Sequence, residues 1–201
     1  MKQVHSLLSD PKGDVAAIRE LFKETFGASE GPNEGQLIGT LAENMIQQTP
    51  ENDLHVFVTK LHEDDSGNST GGALAGCIIF SRMTFSSQPE TGAMLLGPVG
   101  VLPAHQKQGI GKGLIQFGLK NLQEDTSNKG KLDLAMVYGD PKYYSKVANF
   151  IPVNCETIPA PFKLSQPQGW QALSLTGQED EIKAIQGTSS CVEAMSKPEL
   201  W

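Results

Sequence analysis

The chain has 201 residues and carries 16 Lys and Arg against 23 Asp and Glu, a formal charge of −7 at pH 7, and that length suits one domain able to bury a sizeable core. An acidic chain is poorly suited to sequence-independent binding of nucleic acid or anionic membranes, which clustered positive charge drives, whereas a cationic substrate is mildly favoured. No apolar run approaches the roughly 20 residues of a membrane span, and residues 1–14 lack the apolar centre of a signal peptide, so a cytoplasmic protein is expected.

Residues 3–8 read as a first strand. Asp10-Pro11 reads as an N-cap with proline in the first turn, opening a helix whose apolar face is Val15, Ile18, Leu21, Phe22 and Phe26 and which Gly27 can end. Residues 28–32 read as a mobile connection to a second helix over 34–48, with Leu37, Ile38, Leu41, Met45 and Ile46 on one side. Strands over 54–61 and 73–85 follow, joined by a polar, glycine-rich loop that reads as a hairpin connection. His55 and His62 flank the first of these strands and read as surface or satisfied strand histidines. Cys77, Cys155 and Cys191 are odd in number, widely spaced and without a CxxC, which argues for reduced thiols and against a disulfide framework or a metal site.

Residues 94–102 are apolar enough for a buried strand, but Gly97, Pro98 and Gly100 interrupt them. Pro98 has no N–H for a ladder, so a bulge or a local splay is predicted there. A strand opened in this way leaves main-chain groups free to take an extended ligand as though it were another strand. The loop Ala104-His105-Gln106-Lys107-Gln108-Gly109-Ile110-Gly111-Lys112-Gly113 then leads into a helix with Ile110, Leu114, Ile115, Gly118, Leu119 and Leu122 on one side. The first N–H groups of a helix have no internal partner and lie at the positive end of its dipole, so a diphosphate is their natural guest. Gly109, Gly111 and Gly113 let backbone approach phosphate oxygens closely.

Neither common glycine-loop motif fits. The dinucleotide fingerprint needs GxGxxG directly after its strand, and the nucleotide P-loop needs Ser or Thr where Gly113 stands. Gln106-x-x-Gly109-x-Gly111 after a strand ending Val-x-Pro resembles motif A of the GNAT superfamily of N-acetyltransferases. Further on, residues 126–130 form a turn into a strand over 131–138, placed by a parallel crossover beside the opened strand. Gly139-Asp140-Pro141 breaks that strand and caps a short helix bearing Tyr143 and Tyr144. This segment resembles the Gly-Asp-Pro-x-x-Tyr pattern of YhbS-like acetyltransferases, with Ala148-Asn149-Phe150 standing one residue longer where that pattern has Gly-Phe. A last strand is predicted over 170–175, a solvated acidic turn at 179–181 and a short C-terminal helix over 189–199, while the ring of Trp201 needs a pocket or a partner.

The resemblance implies an α/β fold of the GNAT type over 1–201 as a single domain. Its central mixed sheet is splayed between the fourth and fifth strands and flanked by helices. The core covers about 1–160, and 161–201 supply the C-terminal strand and helix. It implies acetyl-CoA as co-substrate and no metal, with the diphosphate on Gln108, Gly109, Ile110, Gly111, Lys112 and Gly113 beside Gln106, and the pantetheine along Val99 and Val101. Tyr144 is the implied general acid for direct attack by an amine, and Tyr143, about 100° away on the helix, should point elsewhere. The base stays open among Glu34, Glu43 and a water chain. The implied acceptor is a small-molecule or peptide amine, a homodimer stays open, and a non-catalytic acyl-CoA-binding module is the alternative reading.

Overall fold

The computed structural model describes residues 1–62, 72–124, 132–177, 182, 185 and 187–201. In chain order these form strand β1 (Lys2–Leu7), helices α1 (Val15–Glu30) and α2 (Pro32–Gln48), strands β2 (Leu54–His62), β3 (Ala73–Phe85) and β4 (Gly92–Val101), and helix α3 (Ile110–Glu124). Strand β5 (Leu132–Tyr138), helix α4 (Pro141–Ala148) and strands β6 (Ile151–Pro152), β7 (Trp170–Ser174) and β8 (Ser189–Cys191) follow. The sheet runs β1-β2-β3-β4-β5-β7-β6, with β8 added to β3. Strands β4 and β5 pair in parallel across the α3 crossover, and the other pairs are antiparallel.

Side chains alternate across the sheet as pleating requires. Val56, Val58, Cys77, Ile79, Leu95 and Met136 pack with α1 and α2 on one face. Phe57, Ile78, Phe80, Met94, Leu96 and Val137 pack with α3 on the other. A Cβ on Gly118 of α3 would lie 2.8 Å from the Phe80 ring, so that glycine sets how closely α3 meets the sheet.

The break predicted around Pro98 is present and has two parts. Against β3, Val99 pairs with Ile78 and Leu96 with Phe80, so Gly97 and Pro98 together oppose one residue, which is a bulge. Against β5, the pairing ends at Leu96 with Val137. Strand β4 continues to Val101 without β5 beside it, and this splay between the fourth and fifth strands opens the sheet.

Three expectations are corrected. Helix α1 starts at Val15, because the Asp10 side chain accepts the Lys12 N–H at 3.1 Å and holds a turn instead of a helix cap. It also runs past Gly27 to Glu30, leaving Gly31 at φ 102° as the join to α2 and not a five-residue connection. A Cβ on Gly35 would overlap the Lys23 carbonyl oxygen and the Gly27 backbone, so Gly27 serves helix contact, not helix termination. Residues 189–199 are not a helix. Ser189–Cys191 form β8 on Met83–Phe85, beyond the last β2 partner at Ser81, and single 3₁₀ turns follow at Glu193–Met195 and Pro198–Leu200. The free end of a long strand offered ladder bonds that outweighed helix formation in Ser-Ser-Cys.

Trp201 finds its pocket. Its ring stacks on Tyr138 at 6.3 Å and meets Trp170 edge-on at 6.0 Å, and its indole N–H donates to the Met195 carbonyl at 3.0 Å. All three cysteines are free, with Cys77 buried. The loop at 63–71, the turn at 126–130 with Lys131, and the acidic turn at 179–181 lie outside the described residues.

Candidate active site

The open edge of β4 is built by alternation. Leu102 donates its N–H to the Ala75 carbonyl at 2.9 Å, toward β3. Successive N–H groups along a strand point to opposite sides, so the N–H groups of Val99 and Val101 face the splay. The Val101 carbonyl on that edge accepts the Gln106 side-chain amide at 3.0 Å, so Gln106 anchors the loop to the strand end and leaves the Val101 N–H as the open group.

The loop turns through positive φ at Lys107 (60°) and Gly109 (81°), the region glycine tolerates best. The Gln108 side chain donates to the Ala104 carbonyl at 3.3 Å and braces the turn. Gly113 donates its N–H to the Gly109 carbonyl at 2.9 Å, closing the first turn of α3. The open donors of that helix start are therefore the N–H groups of Ile110, Gly111 and Lys112. The Gly113 N–H is engaged in that bond, and a Cβ on Gly113 would lie 2.7 Å from the His5 ring of β1, so its lack of a side chain serves the packing of α3 on β1.

Helix α4 is placed by its cap. The Asp140 carboxylate accepts the Lys142 N–H at 2.9 Å, with Pro141 in the first turn, as the sequence predicts. At the other end Asn149 adopts the left-handed conformation (φ 58°) that glycine usually fills after a helix, and the Gln116 side chain of α3 donates to the Val147 carbonyl at 2.9 Å. Tyr144 packs edge-on against buried Phe150 at 5.9 Å. A Cβ on Gly139 would lie 2.5 Å from the Tyr144 ring, so that glycine admits the tyrosine at the end of β5.

These parts meet in a cleft of about 440 Å³ lined by residues that include Val99, Val101, Gln106, Gly109, Gly111 and Tyr144. Lys107 and Lys112 put two cations on its wall, against the acidic balance of the chain. Tyr144 is held well above the usual phenol range, chiefly by burial and secondarily by Tyr143 and the Asp140 carboxylate, so its hydroxyl stays protonated throughout the neutral range. Burial raises Tyr143 as well.

The two tyrosines take different stations in one cleft, the Tyr143 hydroxyl near Gly111 and the Tyr144 ring near Gly139. Both tyrosines line the cleft, their rings edge to face at 5.1 Å. A Cβ on Gly111 would lie 2.9 Å from the Tyr143 hydroxyl, which therefore sits over the start of α3, because the ring reaches back along the helix farther than the angular offset conveys. The two carboxylates weighed as bases are not among the lining residues, and Glu43 pairs with Arg19 at 3.3 Å. Three lining residues escaped the sequence reading, Thr25, His105 and Lys107. His105 and Lys107 lie in the loop without a motif role, and nothing local to Thr25 announces that its helix crosses the end of β4.

Among the described residues no helix is long and apolar enough to cross a membrane, and no group of three or more His, Cys, Asp or Glu is placed to hold a metal ion.

Residues 15–136 match the model of the acetyltransferase (GNAT) family. Over 170 residues the chain is 26% identical to a protein of Escherichia coli strain K12 described as the uncharacterized N-acetyltransferase YjhQ, covering 83% of this chain and 82% of that protein. The crystal structure of the GNAT family N-acetyltransferase YhbS from Escherichia coli in complex with CoA superposes with a TM-score of 0.70 at 17% identity, over 98% of this chain and 93% of that one. A GNAT family acetyltransferase from Brucella melitensis in complex with acetyl-CoA gives a TM-score of 0.64 at 24% identity, over 96% of this chain and 98% of that one.

Proposed function

The chain belongs to the acetyltransferase (GNAT) family, whose model spans more than half of it, and on that premise we propose that it moves an acetyl group from acetyl-CoA to an amine by direct attack, without a covalent enzyme intermediate. The observation that carries this reading is that the open edge of β4, the unpartnered start of α3 and the ring of Tyr144 line one cleft. Structural relatives bind CoA and acetyl-CoA.

Each part then has a task that its chemistry suits. The N–H groups of residues 110–112, with Lys107 and Lys112, take the diphosphate at the positive end of the helix dipole. Val99 and Val101 offer their main chain to the pantetheine as an adjacent strand would. The Val101 N–H bonds the thioester carbonyl and strengthens as negative charge develops there, an arrangement worth about 3 kcal/mol in other enzymes. Attack by the neutral amine forms the C–N bond, and the C–S bond breaks to release a thiolate whose basicity is near that of cysteine, about 8.5. Tyr144, whose phenol is protonated at neutral pH, gives that thiolate its proton and regains one from solvent, to which the attacking nitrogen sheds its own.

The test is CoA release from acetyl-CoA across a panel of small amines, amino acids and peptides with free N-termini. One acceptor class should release thiol well above the buffer rate. CoA binding with no release on any acceptor would replace this reading with a non-catalytic acyl-CoA-binding module.

A further inference from the structure

Strand β1 ends the sheet on one side, and its outward edge is open. Leu8 donates its N–H to the Val56 carbonyl of β2 at 2.9 Å, and main-chain groups alternate in direction along an antiparallel pair. The register from Lys2 with His62 to Leu7 with Phe57 therefore turns the main-chain groups of Lys2, Val4 and Ser6 toward β2 and those of Gln3, His5 and Leu7 outward. Among the described residues no strand pairs with that side. The opposite end of the sheet is β6, only Ile151 and Pro152, a short edge whose proline discourages further pairing.

Strand β1 has none of these defences. It is six residues long, contains no proline and pairs with β2 without a bulge. Five hydrophobic side chains are exposed among the described residues, and three of them, Met1, Val4 and Leu7, lie at this edge. Residues 1–8 include one lysine and no acidic side chain, in a chain whose formal charge is −7. Two copies of so acidic a chain repel over most of their surfaces, and this edge is where that repulsion is least.

We propose that two copies of the chain associate through β1, antiparallel and about a two-fold axis at His5, so that their sheets become continuous. In that register Gln3 of each copy opposes Leu7 of the other and His5 opposes His5. Three outward residues on each strand thus form three opposed pairs that exchange two bonds each, and no outward N–H or carbonyl is left over. An axis at Val4 or Ser6 would strand some of them. Val4 falls opposite Ser6 of the second copy and diagonal to its Val4 and Leu8. The two Lys2 side chains lie at opposite ends, each across from Leu8, and do not face one another. Such a pairing is isologous and closes at two copies. A strand of this length makes a small interface, so a dissociation constant of about 10 to 100 μM is expected. The proposal goes beyond the acetyl-CoA reading and does not depend on it.

The test is sedimentation velocity of the whole chain from about 1 to 500 μM, across which it should pass from monomer to dimer. Leu7→Pro deletes an outward N–H from each copy at an edge position that tolerates proline, and Val4→Lys sets like charges on the diagonal contact. Each should weaken association about tenfold or more, with circular dichroism matching the parent. The register is read by oxidising an equimolar mixture of Val4→Cys and Ser6→Cys chains. These positions are directly opposed, with Cα atoms about 4.5 Å apart, within reach of a disulfide. The mixture should cross-link about fivefold faster than either variant alone, the three native cysteines being a background common to all. Val4→Lys and the cross-linking decide the matter if Leu7→Pro does not fold. A monomer at every concentration, a dimer that survives Val4→Lys, or cross-linking with no preference for the mixture would each overturn the proposal. A monomer that purifies with a foreign peptide along β1 would give the edge to another strand and overturn it too.

Discussion

Tyr144→Phe removes one oxygen from a ring whose other contacts are apolar and edge-on, to Phe150 at 5.9 Å and Tyr143 at 5.1 Å. Phenylalanine keeps both contacts, so the melting temperature should move by no more than about 2 °C. Turnover should fall, because the departing thiolate loses its proton donor; general acid catalysis contributes about 10²- to 10⁴-fold and water recovers part of it. A loss of about 10- to 1000-fold in kcat follows, or about 1.4 to 4 kcal/mol of barrier. The pH dependence supplies an independent check. A general acid works while protonated, and burial raises the pKa of Tyr144, which extends its working range upward from the ordinary tyrosine value of about 10. In the parent enzyme kcat should therefore rise with pH as the amine deprotonates and show no descending limb below about pH 10. The assay is thiol release at saturating acceptor across pH 6 to about 10, with CoA affinity measured by calorimetry as the control. Parental kcat in Tyr144→Phe, or a parental rate already falling by about pH 8.5, near the pKa of an ordinary thiol, would refute the role.

Other perturbations read other parts of the cleft. Tyr143→Phe should weaken CoA binding about two- to tenfold and leave kcat nearly unchanged, because its hydroxyl sits over Gly111 at the phosphate end; calorimetry and thiol release together separate the two. Gly111→Asp should abolish CoA binding, since its Cβ would lie 2.9 Å from the Tyr143 hydroxyl and its carboxylate would stand where the diphosphate is cradled, and circular dichroism should match the parent. Gly35→Ala should destabilise the chain by about 1 to 3 kcal/mol, or about 2 to 4 °C in melting temperature per kcal/mol, because the methyl group would overlap the backbone of Lys23 and Gly27; an unchanged melting curve would mean that α1 and α2 are not in close contact.

What was legible in the sequence is what short-range chemistry decides. Pro98 has no N–H, so the break in β4 could be placed before any partner strand was known. Asp140-Pro141 carries its own cap, and the cap appears as read. What was not legible depends on distant residues. Gly27 looks like a helix stop until Gly35 is placed against it, and Ser189–Cys191 look helical until the unpaired end of β3 is present, more than a hundred residues earlier in the chain. Gly113 belongs to the glycine pattern by spacing, yet its absent side chain accommodates His5 of the first strand. Thr25 carries no motif at all.

The extra residue at Ala148-Asn149-Phe150 marks the boundary between the two kinds of information. An added residue advances a helix by about 100°, so in principle it could have rotated either the tyrosines or Phe150 out of place. The capped start of α4 fixes Tyr143 and Tyr144 relative to β5 through Asp140 and through the close approach of Gly139 to the Tyr144 ring. That leaves the insertion to be taken up at the opposite end. There Asn149 tolerates the left-handed conformation that most residues avoid, and it turns the chain sharply enough for Phe150 to return beneath Tyr144. With the turn at Asn149 placed after the tyrosines, the ring proposed to protonate the thiolate is enclosed at the carboxyl end of β5, beside the splay where β4 and β5 part.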